Sequence, residues 1–169
     1  MIKIEVNNVE QLLKQLTALS QGVVYKAPLM RQIAGTMQTA VDRNFAAGGR
    51  PKWLGLKARQ GKPLIDSGEL RNSINARWDN DYAMVGTNLP YAALHHFGGT
   101  IKAKRAKYLK FKVGDKWVQK KQVTIPARPF MQLTDADEKE IIDDIQAYCS
   151  DPLNQQSLIG FFAKTGGNP

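Results

Sequence analysis

Val85-Gly-Thr-Asn-Leu-Pro-Tyr-Ala-Ala-Leu-His-His-Phe-Gly-Gly99 changes its backbone preference twice within one short stretch. Val85 belongs to an extended run over 82–87, Asn88 and Pro90 mark a turn, and Tyr91 to Phe97 read as a short helix. Gly98 and Gly99 then stop that helix by a left-handed turn that a β-branched residue cannot adopt cheaply. Tyr91, Leu94 and His95 share one helix face, as residues three and four apart do. A helix of this length set between extended stretches points to a mixed α+β fold.

Further extended stretches are expected over 73–78, 107–113 and 117–125, with turn signals at Asp79-Asn80 and Gly114-Asp115. The last of them runs into Ile125-Pro-Ala-Arg-Pro-Phe130. Its two prolines lack donors and push their predecessors into extended geometry, so it is read as a turn in which Arg128 donates to carbonyls or a carboxylate and Phe130 enters the core. On the N-terminal side, Pro28 suits the first turn of a long helix whose Met30, Ile33, Met37, Val41 and Phe45 form an apolar stripe. Gly48-Gly49-Arg50-Pro51 ends it, a loop runs over 48–63, and Ser67-Gly-Glu-Leu-Arg71 reads as a capped helical turn. Thr134 with Asp137 opens a final helix with Ile141, Ile145 and Tyr148 on its buried side. Cys149, the single cysteine, is read as core packing. Earlier in the chain, Ile2, Ile4 and Val6 alternate as in a strand, and Val9 to Leu19 recur at helical spacing. The expected architecture is a small antiparallel sheet packed against a long N-terminal helix and a C-terminal helix, in one domain over 1–150. The tail 151–169 is read as flexible, although Leu158, Ile159, Phe161 and Phe162 are apolar enough to dock on a partner.

The net charge of +9 is unevenly spread. Residues 1–133 carry 22 Lys/Arg against 8 Asp/Glu, whereas 134–169 carry 2 against 7. Such polarity fits either a nucleic-acid module with an acidic tail or a subunit whose basic face meets a neighbour's acidic face. The positive charge peaks in 102–121, with nine Lys/Arg and one acid interleaved with Tyr108, Phe111 and Trp117. Lysines with aromatics can hold phosphates and stack on bases. Alternation over 107–113 instead describes a hairpin with a lysine face and an apolar face, whose aromatics would be core. Opposite charge suggests that Lys104, Lys107, Lys110, Lys112, Lys120 and Lys121 of one copy approach Glu140, Asp143 and Asp144 of another. A hairpin leaning on its own last helix fits the same pattern.

Catalytic signals are sparse. His95 and His96 are adjacent, so they point in different directions and do not chelate one metal together. No serine lies in a Gly-x-Ser-x-Gly context, and no glycine pair precedes Gly-Lys-Ser/Thr. The carboxylates of 135–144 lack the glycine and alternating ligands of a calcium loop. Neither a catalytic residue, a cofactor nor a metal is expected. No apolar run approaches the roughly 20 residues of a membrane span, and no basic-then-apolar leader opens the sequence.

Read together, several stretches resemble the phage virion morphogenesis family, the tail-completion proteins of Mu-like and P2-like phages and prophages. They are Phe45 with Gly48-Gly49-Arg50-Pro51-x-Trp53, Lys62-Pro-Leu-Ile-Asp-Ser-Gly-Glu-Leu-Arg-Asn-Ser-Ile74, Val85 to Gly99, and Ile125 to Phe130. Where such proteins often carry His-Gln before Phe-Gly, this chain has His95-His96. The resemblance implies a small α+β protein without a reaction of its own. It would act in tail completion or head-to-tail joining as a ring component, with six copies as one stoichiometry, among other tail or neck proteins. It would reside in the virion and, during assembly, in the host cytoplasm. Trp53 and Arg50, on a glycine- and proline-fixed loop, are candidate partner anchors, with Trp53 either presented outward or tucked onto the core. Direct DNA contact is the second reading.

Overall fold

The computed structural model describes residues 26–56, 60–114 and 116–151. The strand read over 2–6, the helix over 8–21 and the tail beyond residue 151 lie outside them. Four helices and six strands occur among the described residues: α1 (Ala27–Ala47), α2 (Glu69–Asn72), β1 (Asn75–Trp78), β2 (Ala83–Gly86), α3 (Ala92–Phe97), β3 (Gly99–Lys102), β4 (Leu109–Val113), β5 (Lys116–Lys120), β6 (Gln122–Ile125) and α4 (Asp135–Ser150). The fold is α+β, and the strands pair as three two-stranded ladders, β1 with β2, β3 with β6 and β4 with β5. Close contacts gather into two units, neither continuous in sequence: one holds Ala40–Asn75 and Gly86–Gln132, the other 26–39, Ala76–Val85 and 133–151.

In the unit that holds 26–39, Leu29, Ala34 and Met37 of α1 are buried, while Met30 and Ile33 are half-buried. The expected stripe is thus buried at Met37, Val41 and Phe45, while at the start of the helix Leu29 and Ala34 are the buried residues. The start of α1 is capped from a distance. Asn80, in the turn between β1 and β2, accepts from the backbone amides of Lys26 and Ala27 through Oδ1. That turn closes on itself, since Asp79 accepts from the amides of Asp81 (2.7 Å) and Tyr82 (3.0 Å), an Asx turn as the Asp79-Asn80 signal predicts. At the start of α4, Thr134 and Asp137 form a reciprocal capping box with Asp137 fully buried. Ile141 and Ile145 are buried beneath it, and Tyr148 is half-buried. Cys149 is half-buried as well, and loss of hydration raises its thiol pKa above the usual value.

The other unit is built around three aromatic rings. Phe45 and Phe130 are fully buried with centroids 5.5 Å apart, and Trp53 meets Phe45 edge-on at 5.8 Å. Such pairs contribute about 0.5–1.5 kcal/mol each beyond their buried area. The loop after α1 makes room for Trp53. Gly49 has φ +100°, and a Cβ there would lie 2.5 Å from the Trp53 ring, so only glycine lets the indole fold back. The Trp53 amide donates to Gly48 at 2.9 Å and closes the turn. In α2 Ser67 accepts from the Glu69 amide at the start of the helix at 3.3 Å and Glu69 stands in its first turn, as the capped turn predicts. Gly68, at φ 81°, occupies the N-cap.

Long-range pairing divides one expected strand and creates one that was not expected. The stretch over 117–125 divides at Lys121 into β5 and β6, because β5 pairs back on β4 while β6 pairs with β3. Gly99–Lys102 is a strand although its sequence signal is a helix stop. Its register with β6, Gly99 opposite Ile125 through Lys102 opposite Gln122, makes it one.

Candidate functional site

Residues 99–125 leave and rejoin their unit as one antiparallel ribbon. β3 and β6 form its base, β4 and β5 its outer part with Gly114 in the turn, and the Ala103 amide donates to Lys121 (3.3 Å) where the two ladders meet. Every residue of β3 is exposed, and no residue of β3 through β6 is fully buried. Strand alternation sends Leu109, Phe111 and Val113 to one face and Lys110 and Lys112 to the other. Phe111 stands opposite Val118, and Lys112 stands opposite Trp117. Trp117 therefore lies on the lysine face, where it is 65% exposed and the Lys110 ammonium sits 5.3 Å from its ring centroid. The expectation that the aromatics of this hairpin are core is corrected here. Phe111 is half-buried on the apolar side, Tyr108 is exposed with Lys107 5.7 Å from its ring, and Trp117 faces solvent. One residue of offset between β4 and β5 decides this, and the sequence period of β4 alone does not reveal it.

The root of the ribbon is held by the Ile125–Phe130 turn. Gly98 closes α3 at φ 72°, where a Cβ would stand 2.6 Å from the Ala127 amide nitrogen and 2.9 Å from the Ile125 carbonyl oxygen. The Arg128 amide donates to the His95 carbonyl at 2.9 Å. Its guanidinium, in a side chain 6% exposed, donates to the Leu54 carbonyl at 3.1 and 3.0 Å and to Gly55 at 3.3 Å. One arginine thus joins the 48–56 loop, α3 and the ribbon's return. Asn44, fully buried, donates to the carbonyls of Phe130 (3.0 Å) and Gln132 (2.8 Å). Arg50 donates to Asn44 Oδ1 at 2.8 Å and to the Ala40 carbonyl at 2.9 Å, binding the end of α1 from its own loop.

This geometry relocates two of the sequence candidates. Trp53, 8% exposed, is tucked onto the core with its indole N–H buried and unpartnered, and Arg50 is committed to internal carbonyl and amide oxygens. Lys104, Lys107, Lys110, Lys112, Lys120 and Lys121 are all exposed on the ribbon or its connections. Of the acidic candidates, Asp144 accepts from Gln32 and Thr36, both at 2.6 Å, and Asp143 pairs with Lys139 at 3.0 Å one turn away. Glu140 is half-buried. Sequence reading missed Asn44, whose place on the buried stripe of α1 is the only hint of its role.

A cleft of about 370 Å³ opens beside this core, lined by Ser67, Glu69, Leu70, Tyr91, His95 and Arg128 among others. Tyr91 donates to Glu69 at 2.8 Å, a bond to the carboxylate that raises the phenol pKa. His95 packs edge-on against Tyr91, and its Nδ1 is buried with no hydrogen-bond partner. A nucleophile needs a base within hydrogen-bond reach that a third group orients. Here the Nδ1 that would be oriented has no partner, and Ser67 accepts from the Glu69 amide. His96 turns elsewhere, edge-on to Phe130 at 5.1 Å, with Nδ1 3.5 Å from the Met131 amide. Desolvation lowers both imidazole pKa values, and the Arg128 charge lowers that of His95 further. Among the described residues no group of three His, Cys, Asp or Glu side chains is placed to hold a metal ion, and no helix is long and apolar enough to cross a membrane.

A core of turns fixed by glycine, proline and arginine, carrying a basic ribbon, is the setting in which comparison with known proteins becomes informative. The chain belongs to the phage virion morphogenesis family, whose model matches residues 4–150 and so contains every motif from Phe45 to Phe130. It is 49% identical over 148 residues to Mu-like prophage FluMu G protein 2 of Haemophilus influenzae, covering 88% of this chain and 96% of that protein. It is also 33% identical over 95 residues to the putative capsid assembly protein G of Escherichia phage Mu, covering 56% of this chain and 51% of that one. No solved structure matches.

Proposed function

We propose that this protein is a non-catalytic structural component of a tailed phage or prophage particle, acting in tail completion or head-to-tail joining as a homo-oligomeric ring. The observation that carries the reading is membership of the virion morphogenesis family across 4–150. The names of the two relatives, a Mu-like prophage G protein and a putative capsid assembly protein, support an assembly role. The use of polar side chains supports the absence of a reaction. Arg128, Asn44 and Arg50 bind backbone carbonyls, which holds turns in place, as a structural role requires. The partners are other tail or neck proteins, and the protein remains in the finished virion after assembly in the host cytoplasm.

Inactivating the gene in an inducible lysogen and examining the lysate by negative-stain electron microscopy tests the reading. Filled heads and separate tails should accumulate, and added purified protein should restore joined, infectious particles. Absence of heads would move the function to capsid construction, and normal joined particles would refute it. Light scattering of the purified protein should give a closed multiple of the subunit mass, and a monomer at all concentrations that stays monomeric on tails would exclude a ring.

A further inference from the structure

The ribbon 99–125 carries the densest positive charge of the chain. Segment 102–121 holds nine cations and one acid. Lys110 and Lys112 leave one face of the outer ladder, whereas Lys116 and Lys120 leave the other with Phe111 and Val118. Lys104, Arg105 and Lys107 are exposed in the connection before β4. A flat acidic protein surface would pair with one face of such a ribbon and leave the cations of the other in water without a partner, where they add little. A partner with anionic groups on both sides of a channel satisfies both faces at once.

The chain's own acidic helix fits that requirement poorly. Asp137 is buried in the capping box, Asp144 is held by Gln32 and Thr36, and Asp143 already pairs with Lys139. Duplex DNA fits it well. Two strands about 4.8 Å apart with their side chains span roughly 10–12 Å, and the major groove, about 12 Å wide, admits a two-stranded ribbon with phosphates along both rims. Trp117, exposed beside Lys110 and Lys112, adds a large apolar surface on the face they share, against one wall of the groove. We infer that the β4–β5 ribbon is a sequence-independent binding element for the backbone and major groove of double-stranded DNA, with lysines from both faces on the phosphates and Trp117 against the groove. This inference stands apart from the ring and joining reading, which it neither requires nor is required by.

Fluorescence anisotropy of the full chain with a labelled 24-base-pair duplex of arbitrary sequence, titrated from 50 to 200 mM KCl, tests it. Contacts to about four to six phosphates predict a slope of log K against log salt near −4 to −5, a loss of about 10²–10³-fold across that range. The triple variant Lys104→Gln, Lys107→Gln, Lys110→Gln should keep its melting temperature and lower the slope by about 3, near 1 per phosphate contact. Tryptophan emission should be quenched on binding in the parent and in Trp78→Phe and not in Trp117→Phe, because Trp53 is buried and Trp78 lies in β1, outside the ribbon. A duplex of different sequence should bind within about threefold. The inference is overturned if no binding is seen at 50 mM salt or if the triple variant binds with an unchanged slope. It is also overturned if poly-glutamate of equal charge competes as well as the duplex, or if single-stranded DNA of equal length binds more tightly.

Discussion

Replacing Arg128 by alanine removes a side chain that ties the 48–56 loop to the ribbon's return, and the cost can be worked from its contacts. The guanidinium donates to two carbonyl acceptors, Leu54 twice and Gly55 once. A hydrogen bond from a charged donor contributes about 1.5–3 kcal/mol, so two acceptors set a ceiling near 3–6 kcal/mol. Leu54 and Gly55 are exposed residues, and water can replace part of what is lost. The Arg128 amide bond to His95 survives the substitution. The expected destabilisation is therefore about 2–3 kcal/mol, which lowers the melting temperature of a chain this size by roughly 4–12 °C. Urea unfolding followed by circular dichroism measures it, with Arg128→Lys as comparator. An ammonium cannot reproduce the planar fork, so lysine should recover less than half. A second readout reports the same contact: loss of the Arg128 charge should let the His95 pKa rise toward its ordinary value, visible in the imidazole resonances. Unchanged unfolding midpoints in the alanine variant would refute the structural role, and a full rescue by lysine would refute the fork.

Gly98→Val should leave little folded protein, since its Cβ would meet the backbone of Ala127 and Ile125, which cannot step aside, at a φ of 72° that a β-branched residue resists. Soluble yield and amide dispersion check it, and a normally folded valine variant would show that the ribbon root is adjustable. Acid should destabilise the fold through His95 and His96. Both are depressed in the folded state by desolvation, so the unfolded chain binds more protons below its own pKa of about 6.5, and stability falls as pH drops from there through the lower folded values. The urea midpoint should decline between pH 7.5 and 5.5, and the double variant His95→Gln, His96→Gln should flatten the decline.

Elements whose cause is local were legible in the sequence. The Thr134 and Asp137 box and the Asp79-Asn80 turn each need only neighbours a few residues away, whereas Gly98, legible as a helix stop, is also held by the backbone of Ile125 and Ala127. The proline-held turn at 125–130 was readable down to Arg128 donating to carbonyls, because a cation fixed between prolines has few other recourses. What escaped depends on pairing across the chain. Gly99–Lys102 is extended only because β6 lies beside it, and Lys121 divides a continuous apolar alternation only because β4 and β3 claim different halves. The face of Trp117 was not readable for the same reason. Its face is set by register with Lys112, which the period within β4 does not contain. Trp53 and Arg50 sat on a loop rich in glycine and proline, a composition equally able to present side chains and to fold them inward. The close packing at Gly49 decides between the two.

The ribbon leaves its unit at Gly99 and returns at Ile125, and these two residues face each other across one rung. Whatever lies between them can lengthen, shorten or change its composition while the rest of the unit sees the same pair of endpoints, since closing a longer excursion adds only slowly to its entropic cost. The chain thus keeps two sets of constraints on separate ledgers. One, written in Gly98, Arg128, Phe130 and Asn44, tolerates almost no revision. The other, written along 100–124, can change in length and composition without disturbing the folding of the unit that carries it.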